Sequence, residues 1–192
     1  MCGRYYFGGK TGKVAAKAFD VAEIATPADD VTPGMSPMVI GTKGNILSSS
    51  AMYWGLKNPR GGLIINARAE TALQKPMFAA GVENRRLIIP AEKFYEWNGN
   101  KDKFTFCRPD SDVIYLAGFY DMSGNREAFV ILTTAANDSM FPVHDRMPLM
   151  IEEKDVPDWL LEPRKTQEFL RMQMPELVRE REDGQMSLFD KP

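Results

Sequence analysis

The side chains that most often carry nucleophilic and proton-transfer chemistry are scarce in this chain: two cysteines, Cys2 and Cys107, and one histidine, His144, in 192 residues. Two cysteines cannot build the set of bridges that staples small secreted domains. With the cysteines far apart and a single histidine, no ligand pair stands at zinc-binding spacing, so neither a metal nor another cofactor is expected. Long apolar runs are lacking too; none approaches the ~20 residues of a membrane span. The opening MCGRYYFGGKTGK has no apolar stretch of the secretory kind. A cytoplasmic protein with no membrane partner is expected. A basic excess is also missing, since 24 Lys and Arg face 26 Asp and Glu. That excludes a general cationic coat for nucleic acid. The charge is uneven, however: residues 1–100 carry twelve basic and eight acidic side chains, and residues 101–192 twelve and eighteen. A local groove would have to rest on a few placed arginines.

What remains is an ordinary balance, 44% apolar and 26% charged, and a length that predicts one domain with a sizeable core. Residues 12–25 (GKVAAKAFDVAEIA) read as a helix with Val14, Ala18, Val21 and Ala22 on one face. TPADDVTPGMSP is a proline-punctuated loop. The runs MVIGT, SAMYW, GLIIN, RLIIP, KFTFCR, VIYLAGFY and EAFVILTT are β-branched or aromatic and separated by turn residues, as strands are. Short helices are predicted within 69–80 and 152–173. From 176 the chain is charged and reads as a flexible tail, leaving a domain over 1–175. The pattern predicts an α+β domain on an antiparallel, partly closed sheet with helices at its ends.

Four clusters carry chemistry. Cys2 follows Met1 directly; removal of Met1 would leave a thiol and an α-amine two carbons apart. That amine has a pKa of ~7.7–8, so about a tenth of it is neutral at pH 7. It can form an imine with an aldehyde, which the thiol then closes into a five-membered thiazolidine. NARAET (66–71) places Asn66, Arg68 and Glu70 at alternate positions after an apolar run; an amide orients an amine or carbonyl, and an arginine holds a phosphate. In FYEW, Glu96 lies between Tyr95 and Trp97, where desolvation would raise its pKa and suit it to acid–base work. In VHDRMP, His144 is the lone imidazole, flanked by charge and a proline-closed turn. Cys107 reads as a buried strand residue.

Together these pieces resemble the SOS response associated peptidase (SRAP) family: MCGR at 1–4, a PG turn at 33–34, YWGL at 53–56, INARAET at 65–71, RLIIPAEKFYEW at 86–97, LAGFYD at 116–121 and VHDRMP at 143–148, in family order over the first 150 residues or so. Leu87 and Lys93 depart from the usual cysteine and glycine. The resemblance implies a curved, barrel-like antiparallel sheet with flanking helices and the N-terminus in a positively charged cleft. It implies capture of abasic sites in single-stranded DNA through a thiazolidine on Cys2. Asn66 would position the cysteine, and Glu96 and His144 would move protons. Arg4, Arg68, Arg146 and Lys75 would hold phosphates, and Trp54 would pack against bases. The acting unit would be a monomer. A cysteine peptidase using Cys2 and His144, and a noncovalent DNA-binding module, are the other readings. QMSLF (185–189) resembles the peptide by which bacterial repair proteins bind the sliding clamp, with Gln185, Leu188 and Phe189 as its contacts.

Overall fold

One extended run, RLIIPAEKFYEW, serves two different sheets, and the candidate site lies where it crosses from one to the other. The structure, a computed structural model, describes residues 2–182. In chain order its elements are β1 (Tyr5–Phe7), α1 (Thr11–Ala18), β2 (Asp29–Val31), β3 (Met38–Lys43), β4 (Ile46–Ala51), β5 (Tyr53–Trp54), β6 (Leu56–Lys57), β7 (Leu63–Ile64), β8 (Asn66–Arg68), α2 (Ala69–Ala72), α3 (Pro76–Asn84), β9 (Arg86–Ala91), β10 (Lys93–Trp97), β11 (Lys103–Cys107), β12 (Ile114–Ser123), β13 (Arg126–Ala135), β14 (Arg146–Pro148), β15 (Met150–Ile151), α4 (Val156–Leu161), α5 (Thr166–Phe169) and β16 (Val178–Arg181).

The smaller sheet has the order β16-β11-β10-β1-β2. The larger follows β14-β13-β12-β9-β3-β4, with β15 on β12 and with β5 and β8 on β13. All six residues of β9 are buried, because β12 and β3 flank it and both of its faces are covered, which is why RLIIPA reads as a continuous apolar run. The chain then passes through Glu92, whose N–H donates to the Tyr6 carbonyl at 2.9 Å, and β10 pairs with β1 in the smaller sheet. The α+β class is as expected, dominated by sheet and short of helix. The barrel is not: neither strand order closes on itself, and β5 and β8 run parallel to β13. Edge occupancy explains this. Strand β12 takes one edge of β13 through a hairpin, and the segments on its other edge arrive from loops, free of the hairpin's antiparallel constraint.

The helices are shorter than their apolar spacing predicts. Helix α1 stops at Ala18 because Asp20 takes a left-handed conformation, φ 50°, and Val21 N–H closes back onto the Ala16 carbonyl. Its buried face is Thr11, Gly12, Ala15 and Ala16, and Val14 is exposed. Pro76 divides 69–80 into α2 and α3, since it opens a new first turn. The domain also runs past 175. Leu177 is buried, and β16 pairs with the edge of β11, Cys107 opposite Val178 and Phe104 opposite Arg181. Charges that read as solvated pair across that edge, Lys103 with Glu182 and Arg181 with Asp102, both at 2.8 Å. Cys107, on the same edge strand, is half-buried rather than buried.

Candidate active site

Cys2 is 0% exposed and belongs to the hydrophobic core. A residue at a fraying end would not be; this one is held from two sides. The Asn66 amide Nδ2 donates to its carbonyl oxygen at 2.8 Å, and its thiol is directed at the Arg4 carbonyl, 3.9 Å away. Asn66 opens β8, whose position on β13 is fixed by the parallel register Asn66 to Ile131 and by the Ile131 N–H to Ile65 carbonyl bond at 3.1 Å. Thus the NARAET strand of the larger sheet reaches the residue that leads into β1 of the smaller one.

Glu96 comes from β10, next to β1, and is 5% exposed. Burial first, and then the Glu96 charge, push the Cys2 thiol up to about 12. Cys2, Asn66 and Glu96 are therefore brought together. His144 stands on the turn that enters β14, a strand inserted where β12 and β13 part: Leu149 N–H donates to the Leu132 carbonyl and Ala117 N–H to the Leu149 carbonyl. The His144 Nδ1 accepts the Arg146 N–H at 2.9 Å, and Asp145 Oδ1 lies 3.0 Å from the same nitrogen. Among the described residues no three His, Cys, Asp or Glu stand together as metal ligands would.

One expected DNA contact is corrected, and another is found already paired. Trp54 is 0% exposed. It stacks on Phe129 with ring centroids 6.0 Å apart, lies 5.4 Å from the Tyr5 ring, and donates its indole N–H to the Ile65 carbonyl at 3.1 Å. It is a core residue, unable to meet a base. The glycines on either side of it explain the motif. Gly34, φ 96°, donates its N–H to the Trp54 carbonyl. Gly55, φ 121°, donates to the Phe129 carbonyl while Leu63 packs against its Cα face. Arg146 is not a free cation. Its two terminal nitrogens grip both Glu70 oxygens at 2.7 and 2.8 Å, and one also donates to the Thr133 carbonyl at 2.6 Å. The fork geometry holds the Glu70 carboxyl below the usual carboxylate range.

Arg68 is exposed at the end of β8, Lys75 is exposed before α3, and Arg4 is partly exposed, 3.4 Å from Asp30. The Arg4 guanidinium lies 5.7 Å from the ring centre of Trp97. Trp97 is an exposed tryptophan one residue from Glu96, and sequence reasoning passed it over. Strand alternation was the signal: if Glu96 faces inward, Trp97 faces out. Gln185, Leu188 and Phe189 lie outside the described residues.

Comparison with known proteins supplies the context. A family model described as SOS response associated peptidase (SRAP) matches residues 1–188. The chain is 32% identical over 149 residues to the abasic site processing protein YoqW of Bacillus subtilis, covering 70% of this chain and 66% of that one. It is 29% identical over 180 residues to YoaM of the same organism and 27% to YedK of Escherichia coli, both named abasic site processing proteins, covering 83% of this chain and 79% of each. Among solved structures, a Bordetella bronchiseptica protein superposes with a TM-score of 0.77 at 23% identity over 95% of this chain and all of that one. A Bacteroides thetaiotaomicron protein gives the same score and identity over 94% and 91%. These two likenesses are of fold.

Proposed function

The chain belongs to the SRAP family, and from that membership and the geometry around Cys2 we propose that it captures abasic sites in single-stranded DNA as a covalent crosslink, acting as a monomer and shielding the lesion. The observation that carries this reading is the Asn66 clamp on the Cys2 carbonyl, which holds the N-terminal residue inside the core beside Glu96. The chemistry needs Met1 removed. The Cys2 nitrogen bonds to C1′ of the ring-opened sugar, and the aldehyde oxygen takes the proton that the nitrogen releases. The thiol proton, carried through Glu96 or His144, lets that hydroxyl leave as water. The sulfur then closes onto the iminium carbon. Aminothiol and aldehyde become thiazolidine and one water, with no redox partner.

The same structure weighs against a cysteine peptidase. Nucleophilic cysteines work as thiolates, with pKa values lowered by a cation or a helix N-terminus. In the chain that retains Met1, burial and a carboxylate push the thiol up to about 12, the opposite of an activated thiolate. Arg4, Arg68, Lys75 and Trp97 hold the flanking strand. Gln185, Leu188 and Phe189 tether the protein to the sliding clamp, which a clamp pull-down with Leu188→Ala/Phe189→Ala would test; equal capture removes that contact.

The central test is a denaturing gel with single-stranded DNA carrying one abasic site. A heat-stable shifted band is expected for the processed protein and none for Cys2→Ala or for protein retaining Met1. Cys2→Ser should give a band only after borohydride reduction, because it forms the imine without the sulfur ring. Peptide cleavage without any crosslink would favour the peptidase reading.

A further inference from the structure

Tyr5 has no role in the chemistry above, and its hydroxyl is an anomaly. The residue is 0% exposed, and its hydroxyl oxygen has no hydrogen-bond partner among the described residues. Buried hydroxyls are almost always bonded, because a bare one destabilises the folded state. Phenylalanine would fill the same space in β1 without that loss, so packing does not account for the oxygen.

Its place in the fold suggests what does. The Tyr5 ring lies 5.4 Å from Trp54, the Trp54 indole N–H bonds the Ile65 carbonyl, and the next residue, Asn66, bonds the Cys2 carbonyl. On the other side Tyr5 stands opposite Phe94, two residues before Glu96. Tyr5 is thus enclosed by the elements that hold Cys2. Asn66 Oδ1, in the same group, is likewise buried without a partner. One donor and one acceptor are left open around the residue whose reaction brings in a carbonyl oxygen and uncovers an amine.

We propose that the Tyr5 hydroxyl is the hydrogen-bond donor that receives the aldehyde oxygen of the opened sugar, polarising C1′ for attack by the Cys2 amine and steadying the hydroxyl until it leaves as water. This rests on the crosslinking reading above. Tyr5 keeps its own proton throughout. Burial, and then the neighbouring Cys2, raise the phenol well above its ordinary pKa, so it remains a donor at every working pH. Asn66 Oδ1 accepts from the Cys2 amine on the opposite side.

The experiment compares wild type and Tyr5→Phe, both verified by mass to begin at Cys2, on an oligonucleotide with one abasic site. Three quantities are read: the single-turnover crosslinking rate, the thermal midpoint, and affinity for undamaged single-stranded DNA. Loss of the donor should slow crosslinking about tenfold or more. Affinity for undamaged strand should stay the same, and the midpoint should hold or rise, since an unbonded buried hydroxyl has been removed. In a Cys2→Ser background, borohydride trapping of the imine should slow by the same factor. Equal crosslinking rates in a wild type that does crosslink would overturn the Tyr5 role alone. So would a midpoint lowered by several degrees, which would mean the hydroxyl is bonded within the fold, or a defect confined to ring closure with imine trapping intact. A wild type that never crosslinks overturns the functional reading and this inference with it.

Discussion

Two buried polar regions of this molecule are built in opposite ways. Arg86, 4% exposed, opens β9 with no carboxylate paired to it among the described residues, yet each of its guanidinium nitrogens is bonded. It donates to the carbonyls of Val82 and Glu83 at the end of α3 and of Trp159 and Leu160 in α4. Its charge also lies 5.5 Å from the Trp159 ring centre. Burial lowers its pKa, and the carbonyl ends of two helices offset that cost. Around Cys2 the fold leaves polar atoms open instead: the Tyr5 hydroxyl and Asn66 Oδ1 are buried without partners among the described residues. Burial of polar groups therefore does not by itself mark a functional site. A group saturated by its own chain fastens the fold, whereas the two left open beside Cys2 are the ones the proposed reaction would complete.

The widest separation should come from breaking each region once. Cys2→Ala should reduce the yield of heat-stable crosslink, without reductant, by about a thousandfold or more, because the ring depends on sulfur, while the thermal midpoint moves by a few degrees at most. Arg86→Leu should do the reverse. It strands carbonyls at two helix ends and should lower unfolding stability by about 3–5 kcal/mol, read from urea midpoints, with the crosslinking rate per folded molecule within about twofold of wild type. A stable Arg86→Leu protein that crosslinks slowly would erase the distinction.

A smaller effect sharpens the same contrast on two tryptophans. Trp54, in the core, should cost about 3–5 kcal/mol of stability on substitution by alanine. Trp97→Ala should leave the midpoint alone and weaken binding to single-stranded DNA by about 1–3 kcal/mol, the worth of one stacked base, measured by fluorescence anisotropy on an undamaged strand. If Trp97→Ala binds normally, the strand does not pass over this face.

That contrast also shows how far the sequence could be read. RLIIPA, VIYLAGFY and EAFVILTT announced their strands because burial on both faces leaves an unbroken apolar run, and Asn66 and Glu96 were visible because each follows or interrupts such a run. Trp54 and Trp97 were not separable by local pattern: each sits in an aromatic cluster near a strand end. Which one meets solvent depends on β5 docking against β13, a pairing between segments some 75 residues apart. Strand β16 was hidden for a related reason. VRER is polar on both faces, and only the free edge of β11 makes it a strand. Tyr5 looked like any strand aromatic, since nothing in YYF says that a hydroxyl will lack a partner. The Arg146–Glu70 pair joins residues 76 apart in sequence, so the arginine of VHDRMP read as free.

The mildest prediction concerns that pair, the counterpart at the rim of the open groups in the core. Here a cation expected to face DNA is paired through both terminal nitrogens with a carboxylate. Glu70→Gln should free Arg146 and raise affinity for single-stranded DNA about two- to fivefold at low salt, steepening the salt dependence by about 0.7 in the log–log slope, the contribution of one further phosphate contact. The pH dependence has a definite sign. Arg146 holds the Glu70 carboxyl below its ordinary 4.5, so the pair stabilises the fold above that pH and the contribution is lost as pH falls through the lowered value. The midpoint of wild type should therefore exceed that of Glu70→Gln near neutrality and converge with it once the pH has fallen below the lowered value. The gap should be small, about 0.5 kcal/mol or less, since the Glu70 side chain is 44% exposed and screened by solvent. If Glu70→Gln binds DNA more weakly than wild type, Glu70 is holding Arg146 in the orientation that meets phosphate, and the paired cation belongs with the site after all.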